Sequence, residues 1–385
     1  MDIEQFSTNA PGEIVKIPRD DRTGNEHAFI PHPLPPSWIF LDRLWPLLVE
    51  AKLQLGILEG IGRTLPNPGI LLRPLEDREA IKSSRLEGTY VTEKEFLLFE
   101  LEPLESKSES DPLNRQREVF NYRKAIRQGA DSPLPMSLRL LRQLHETLLQ
   151  GVRGEDHSPG NFRKVQVAIG SNHRFVPPSP EQLEGCLDLF ERYIHSENKR
   201  FDPLVDCFLV HYQFETIHPF KDGNGRVGRL LLAIMLKEFC GLSKPWLYLS
   251  EYFESNREDY IQNLFNVSSQ AAWDGWIEFC LLGVVQQAKD TIRRCERLLK
   301  IRENFMEKVA NSGGSTRLYN ILERIFYSPF VRVADLPEKL GVSYPTAKSD
   351  IERLVELGVL EELKGVFPKT YYAPEIYNVA YDSIE

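Results

Sequence analysis

The sequence predicts a mainly α fold. Three observations carry that expectation. Apolar residues recur at helical intervals through most of the chain. Two apolar runs, Cys207 to Ile217 and Leu230 to Phe239, are too long for typical strands and read as helices. Strand-like patterns are confined to residues 164–176 and to a tail segment, 358–372. With 385 residues, 42% apolar and 27% charged, the composition is that of a globular protein of two or three domains with ample core.

The elements follow in order. Residues 1–36 are polar and proline-rich, and 29–36 read as an extended arm along the domain surface, because proline lacks an N–H and restricts its predecessor. Trp38 to Leu58 has helical spacing, and Pro66 to Pro74 breaks it. A new helix is expected from Glu76 to Gly88, with Gly88 as its C′ stop. Ser83 and Glu87 share a face of it, and taken alone Glu87 reads as a solvated glutamate. Thr92 to Leu101 is a further helix, capped by Thr92 with Glu95 three residues later. A charged loop covers 102–111, and helices are expected over Leu113–Arg127 and Ser137–Leu149. Lys164 to Ile169 alternates like a strand, Gly170-Ser171-Asn172 is turn chemistry, and Arg174-Phe175-Val176 follows, which together predict a short hairpin. Taken alone it is a surface hairpin without a role. Helices over Glu181–His195 and Pro203–Ile217 lead to residue 218. His211 lies in that stretch with no His/Cys cluster around it, so it reads as a packing residue. Beyond Leu230–Phe239 come a helix from Ser255 through Val267, with Asn256 and Tyr260 four apart, and helices over Trp273–Cys280 and Val284–Val309.

The chain is organised around His218-Pro219-Phe220-Lys221-Asp222-Gly223-Asn224-Gly225-Arg226-Val227-Gly228-Arg229. It lies between two predicted helices and its second half opens the later one. Gly223 and Gly225 permit a tight turn and close approach of a ligand. Amides around Gly225 to Val227 sit at a helix N-terminus, which favours an anion. Arg226 and Arg229 are neighbours on one face, and guanidinium groups grip phosphate oxygens. Asp222 is a hard oxygen ligand suited to Mg²⁺. His218 can accept a proton near neutral pH, and Phe220 is expected to point into the core. Gly223 to Gly228 also spells a dinucleotide fingerprint, but that needs a preceding strand, and a helix with a His-Pro-Phe turn stands there instead.

This stretch resembles the signature of the Fic family, H-x-F-x-(D/E)-G-N-G-R-x-x-R, at every specified position. The resemblance implies transfer of AMP from ATP to a Ser, Thr or Tyr hydroxyl of a target protein, or of the chain itself. It implies His218 as general base and Asp222 as Mg²⁺ ligand. Gly223, Asn224 and Gly225 would be the phosphate cradle, and Arg226 and Arg229 would hold the outer phosphates, with Val227 and Gly228 in the same ATP-binding turn. Glycine at 225 favours AMP transfer, since a relative that phosphorylates its target has lysine there. Ser83-x-x-x-Glu87-Gly88 matches the family's inhibitory motif, so Glu87 is expected to compete with the ATP γ-phosphate for Arg229. In some members the same glutamate supports AMP removal. The hairpin corresponds to a flap, with Ile169, Gly170 and Asn172 as nucleotide contacts and its edge, 165–176, as the docking strand for a target protein. Asn256 and Tyr260 correspond to adenine contacts.

After a Gly/Ser linker at Asn311–Thr316, the tail has a helix from Arg317 to Tyr327 and then helix-turn-helix spacing, 333–340 and 345–357, with two strands of a wing at 358–360 and 364–372. This resembles a winged helix. Its Asp350, Glu352, Glu356, Glu361 and Glu362 outnumber its basic residues, which favours a protein-contact or dimerisation module over a DNA reader.

The net charge of −9 argues against non-specific nucleic-acid binding by the whole chain. Five scattered cysteines without C-x-x-C spacing fit reduced thiols in a cytosol. A signal core and a membrane span are both missing from the pattern, so the expected location is cytoplasmic. The expected architecture is a mainly α, Fic-type helical core with a β-hairpin flap plus a C-terminal winged helix. The expected divisions are 1–115 with the inhibitory helix at about 76–88, 116–300 as catalytic core, and 311–385. Two other functions remain open: a winged-helix transcriptional regulator with a nucleotide-sensing core, and an enzyme of this fold that removes AMP or uses another donor.

Overall fold

The computed structural model describes residues 1–18, 26–65, 67–103, 111–152, 158–170 and 173–382. The fold is mainly α. A two-stranded antiparallel hairpin comes first, β1 (Gly12–Lys16) on β2 (His27–Pro31). Six helices follow: α1 (Trp45–Thr64), α2 (Gly69–Leu86), α3 (Glu93–Leu101), α4 (Leu113–Ala130), α5 (Leu138–Leu149) and α6 (Pro180–Ile194). Then come α7 (Pro203–Ile217), α8 (Asn224–Phe239), α9 (Ser250–Ser255), α10 (Arg257–Gln270) and α11 (Trp273–Asn311).

Helix α7 is the centre. Nearly every side chain from Leu204 to Ile217 is buried, so the helix has no polar face, as expected of one surrounded by others. α8 and α6 pack along it, and α11 reaches it through Trp276, whose indole N–H donates to the Phe208 carbonyl at 3.1 Å. The junction of α7 and α8 is the 218–223 loop.

The tail builds α12 (Thr316–Tyr327), β3 (Phe330–Arg332), α13 (Leu336–Leu340), α14 (Tyr344–Glu356), β4 (Glu361–Glu362), β5 (Thr370–Tyr372) and α15 (Pro374–Tyr381). The strands pair antiparallel in the order β3-β5-β4, one more strand than the sequence indicated. The tail's apolar core, centred on Ile321, Leu322, Ile325, Ile351 and Leu354, is shared with Ile70 of α2 and with Leu298, Phe305 and Val309 of α11.

Several expectations need correction. The arm at 29–36 begins as β2, because the alternating residues Glu13 to Lys16 pair with it. α2 starts at Gly69 and runs through Pro74; the ring forfeits one backbone bond, but buried Ile70, Leu71 and Leu75 hold the helix on both sides. α11 is continuous through Gly283, which is no breaker: a Cβ there would lie 2.7 Å from the Tyr252 ring, so the glycine serves close packing. Residues 164–168 form no strand; the hairpin is reduced to one bridge, Ile169 with Phe175, bonded in both directions at 2.8 and 3.1 Å. The first wing strand lies at Glu361–Glu362, after the expected 358–360, and the second is only the end of the expected 364–372, Thr370–Tyr372.

Helix α2 carries four consecutive buried charges, Glu76, Asp77, Arg78 and Glu79. Each has a partner on another element. Arg127 of α4 reaches Glu76 at 2.6 Å, and Arg123 reaches Asp77 at 2.7 Å. Tyr381 of α15 donates to Asp77 at 2.9 Å. Arg78 pairs with Glu251 and Asp290, and Glu79 accepts from Tyr122 at 2.9 Å and from the Ser250 hydroxyl at 2.6 Å. Buried charges persist only when partnered in this way, so α2 is fixed in place by α4, α9, α11 and α15.

Candidate active site

The C-terminus of α7 sets the first group. His218 adopts a left-handed conformation, φ 51° and ψ 61°, which ends the helix and turns the ring out of it. The Glu215 carbonyl accepts from Nδ1 at 3.3 Å, so the proton sits there and Nε2 keeps its lone pair. Burial, and then the Arg163 guanidinium, lower the His218 pKa to about 4, leaving the ring neutral at pH 7. Arg163 itself is buried. Its Nε donates to the His218 carbonyl at 2.9 Å, and its Nη2 to the carbonyls of Pro178 and Ile217. It thereby satisfies carbonyls that the end of α7 leaves over.

The loop is closed by its own side chains. Asn224 accepts the Phe220 N–H at 2.7 Å and donates to the Phe220 carbonyl at 2.8 Å. Phe220 is fully buried, as expected, and stacks on the His145 ring with centroids 3.9 Å apart. His145 of α5 accepts the Gly160 N–H at Nδ1, 2.9 Å, and donates from Nε2 to the Asp222 carbonyl, 3.0 Å. Burial lowers its pKa to about 4, so it is a neutral strut between two loops.

Gly223, at φ 77°, is the N-cap of α8. The first helical backbone bond runs from Val227 N–H to the Gly223 carbonyl at 3.0 Å, so the N–H groups of Asn224, Gly225 and Arg226 precede the helical ladder. They form an anion-favouring end. The Asp222 carboxylate accepts the Gly223 N–H at 2.7 Å beside that end and is exposed. Among the described residues no three His, Cys, Asp or Glu side chains gather to hold a metal ion. One exposed carboxylate next to a phosphate-favouring helix end fits Mg²⁺ that arrives with nucleotide phosphates as its other ligands.

Arg229 is buried and held three times over. Its Nε donates to Ser83 Oγ at 2.8 Å, and its Nη2 to the Ser83 carbonyl at 2.9 Å and to Glu87 Oε1 at 2.7 Å. Burial alone would lower the Arg229 pKa, and Glu87, together with Tyr260, Tyr122 and Glu215, outweighs that and raises it. Burial likewise would raise Glu87, but Arg229, then Arg226 and His218, draw it below the usual carboxylate range. Glu87 is the residue at the C-terminus of α2, and Gly88 follows at φ 85°. Gly225 lies directly beneath this pair: a Cβ on it would sit 2.2 Å from Glu87 Oε1. Arg226 reaches Glu118 of α4 at 3.5 Å.

A cavity of about 330 Å³ opens over these groups. Glu87, Glu215, His218, Gly225 and Arg229 line it, together with the apolar Ile169, Phe175, Ile261, Leu264 and Phe265. Gly170 and Tyr260 line it too. Arg174 ties the 169–175 bridge to α10, donating to Gln262 at 2.9 Å and covering the Phe265 ring at 3.8 Å. The Tyr260 ring stacks on Phe253 at 4.4 Å, and its hydroxyl donates to His211 Nε2 at 2.9 Å, since His211 Nδ1 donates to the Gly228 carbonyl at 3.1 Å. His211 is thus a buried bracket between α8 and α10.

The structure gives some expected nucleotide contacts other roles. Asn224 clamps Phe220, and Val227 is fully buried in the core. Gly228 provides room for Glu215, whose Oε1 would lie 2.2 Å from a Cβ there. Asn256 interrupts the predicted 255–267 helix: it stands between α9 and α10, donates to the Tyr252 carbonyl at 2.9 Å, and is not among the cavity-lining residues. Asn172 lies outside the described residues. Sequence reasoning missed Arg163, His145, Glu118 and Glu215. The first two act on backbone groups, which leave no side-chain pattern. Glu215 had one usable signal, its position one turn before His218.

Residues 135–236 match the Fic/DOC family and residues 45–131 its N-terminal domain, the Fic/DOC family N-terminal. The chain is 36% identical over 104 residues to the protein adenylyltransferase Fic of Drosophila grimshawi, which is 27% of this chain and 20% of that one. It is 30% identical over 128 residues to the protein of the same name from Aedes aegypti, 33% of this chain and 24% of that one. The chain thus spans about a fifth to a quarter of the length of these curated relatives. In three dimensions it resembles a Fic family protein from Desulfovibrio desulfuricans G20, with a TM-score of 0.54 and 21% identity over 88% of this chain and 98% of that one. It also resembles Fic-1 from C. elegans, with a TM-score of 0.51 and 20% identity over 67% and 76% of the two chains.

Proposed function

The chain carries a Fic/DOC domain preceded by the N-terminal domain of that family, and on that premise we propose that it is a protein adenylyltransferase restrained by its own Glu87. The observation that carries this reading is the convergence of His218, the amino end of α8 and Arg229 on one cavity, with Glu87 on Arg229. The target hydroxyl attacks the α-phosphate of ATP; an O–P bond forms, the bond to the β-phosphate oxygen breaks, and pyrophosphate leaves. His218 takes the hydroxyl proton at Nε2, the nitrogen left unprotonated by the Glu215 carbonyl. Its basicity, lowered by burial, rises when phosphate charge comes near. The N–H groups of Asn224 to Arg226 and the Arg229 guanidinium face the charge on the phosphates. Mg²⁺, held by Asp222 and the phosphates, supplies further charge neutralisation when bound. The apolar residues from Tyr260 to Phe265 take the base, and the edge at Ile169–Phe175 takes an extended target segment.

While Glu87 occupies Arg229, the γ-phosphate lacks that partner and ATP binds unproductively. In the C-terminal module, Lys348 pairs with Glu352 at 3.6 Å, Arg353 with Glu356 at 2.7 Å and Lys369 with Glu362 at 2.7 Å. Cations neutralised in this way supply little attraction for nucleic-acid phosphates, which favours a protein-contact role. No described helix is long and apolar enough to cross a membrane.

The test is intact-mass and peptide mapping of the wild-type chain and His218→Ala, each with Mg²⁺ and ATP, alone and with candidate target proteins. The expected result is one AMP on a hydroxyl, lost in His218→Ala. An adduct that persists in His218→Ala would remove the histidine from the reaction, and bound ATP without any adduct would favour nucleotide sensing.

A further inference from the structure

One group in the cavity has no place in the reaction just described. Glu215 stands on the last turn of α7, and only its backbone carbonyl serves His218. Its carboxylate lines the cavity, and its Oε1 is buried without a hydrogen-bond partner. The oxygen has been given space: with any side chain at 228 it would be displaced, since a Cβ would fall 2.2 Å away. Burial pushes the Glu215 carboxyl up to about 7, against the pull of Arg229. Burial, and then the same carboxylate, raise the Tyr260 hydroxyl. Glu215 lines the same cavity as Arg229, proposed to face the phosphates, and Tyr260, proposed to face the base.

A buried acceptor without a donor is costly, and native structures rarely keep one unless something arrives to fill it. The donor must enter with the ligand. A triphosphate offers none. The part of a nucleotide that joins phosphate to base does, because the ribose carries two hydroxyls there. We propose that Glu215 accepts a hydrogen bond from a ribose hydroxyl of the bound nucleotide, so that this site selects ribonucleotides over deoxyribonucleotides. This rests on the nucleotide reading above and adds a specificity determinant to it.

The experiment measures binding of Mg·ATP, 2′-deoxy-ATP and 3′-deoxy-ATP to the full chain by calorimetry, and AMP transfer from each in the Glu87→Gly chain. The wild type is expected to bind ATP roughly 10- to 100-fold more tightly than one of the two deoxy forms, the range for a hydrogen bond to a charged group. Which analogue suffers identifies the hydroxyl. In Glu215→Met the ratio should fall to about 1, and Glu215→Gln, which keeps an amide acceptor, should restore part of it. Gly228→Ala leaves the carboxylate in the chain but displaces it, and should flatten the ratio as well. Equal binding of all three nucleotides by the wild type overturns the proposal. So does a Glu215→Met chain that loses affinity for all three by the same factor, which is what a structural role alone predicts. Failure to bind any nucleotide would sink the reading of the cavity itself, and is distinct from binding without discrimination, which sinks this inference alone.

Discussion

Replacing Glu87 by glycine should release the enzyme, and the structure sets the scale. Arg229 keeps both bonds to Ser83 in that variant and loses the charge pair at 2.7 Å. Two unit charges about 4 Å apart attract by about 4 kcal/mol at an effective dielectric constant of about 20. The Glu87 side chain is 38% exposed, so solvent screens the pair, and about 1.5–3 kcal/mol is the range for a hydrogen bond to a charged group. If that energy is what a γ-phosphate must displace, AMP transfer should rise roughly 10- to 100-fold, at about 1.4 kcal/mol per factor of ten. The assay is the initial rate of adduct formation by intact mass at saturating Mg·ATP, with wild type and Glu87→Gly side by side. A thermal melt run in parallel should show a lower melting temperature, since the buried Arg229 guanidinium keeps only its two bonds to Ser83. Equal or slower labelling by Glu87→Gly would refute the competition for Arg229.

Three further expectations come from the same geometry. His218 works as a base only when neutral, and burial lowers its pKa to about 4; kcat/KM for the released variant should hold steady as pH falls through 6.5 and drop only near 4, and an acid limb centred at 6.5 that survives in Glu215→Met would contradict the burial of the ring. Arg163→Met leaves the carbonyls of Pro178, Ile217 and His218 without their donor, so chemical denaturation should show a loss of roughly 2–4 kcal/mol, with AMP transfer falling as His218 loses its support. Tyr381→Phe removes the hydroxyl that Asp77 accepts from in a fully buried setting, and should cost roughly 1–3 kcal/mol, read as a lower melting temperature.

The helices around the loop were legible because their causes are local. α7 coincides with the predicted 203–217 because a mostly apolar run ends at a proline-containing turn, and Ser137 and Thr92 begin α5 and α3 as caps. The pairing of Glu87 with Arg229 spans 142 residues, and only the match of two motifs to one family suggested it. Other features depend on contacts that composition does not encode. Gly283 looks like a breaker and is a seat for Tyr252. Asn224 looks like a ligand group between two glycines and spends both ends of its amide on Phe220. Pro74 looks like a boundary, yet buried side chains on both sides carry the helix through it. Arg163 bonds to carbonyls, which are the same at every position of every sequence.

Helix α2 is gripped at both ends by things that matter. At its far end the Arg73 guanidinium lies 4.2 Å from the centre of the Tyr327 ring, and Tyr381 reaches Asp77 one turn along; at its near end Glu87 holds Arg229. The tail module is therefore part of the footing of α2, the helix whose end carries the proposed brake. Cutting the chain at the linker near 311–316 to obtain a tidier catalytic fragment would strip two aromatic partners from a helix whose charges are buried, and a fragment made that way would report the behaviour of a brake with its mounting removed.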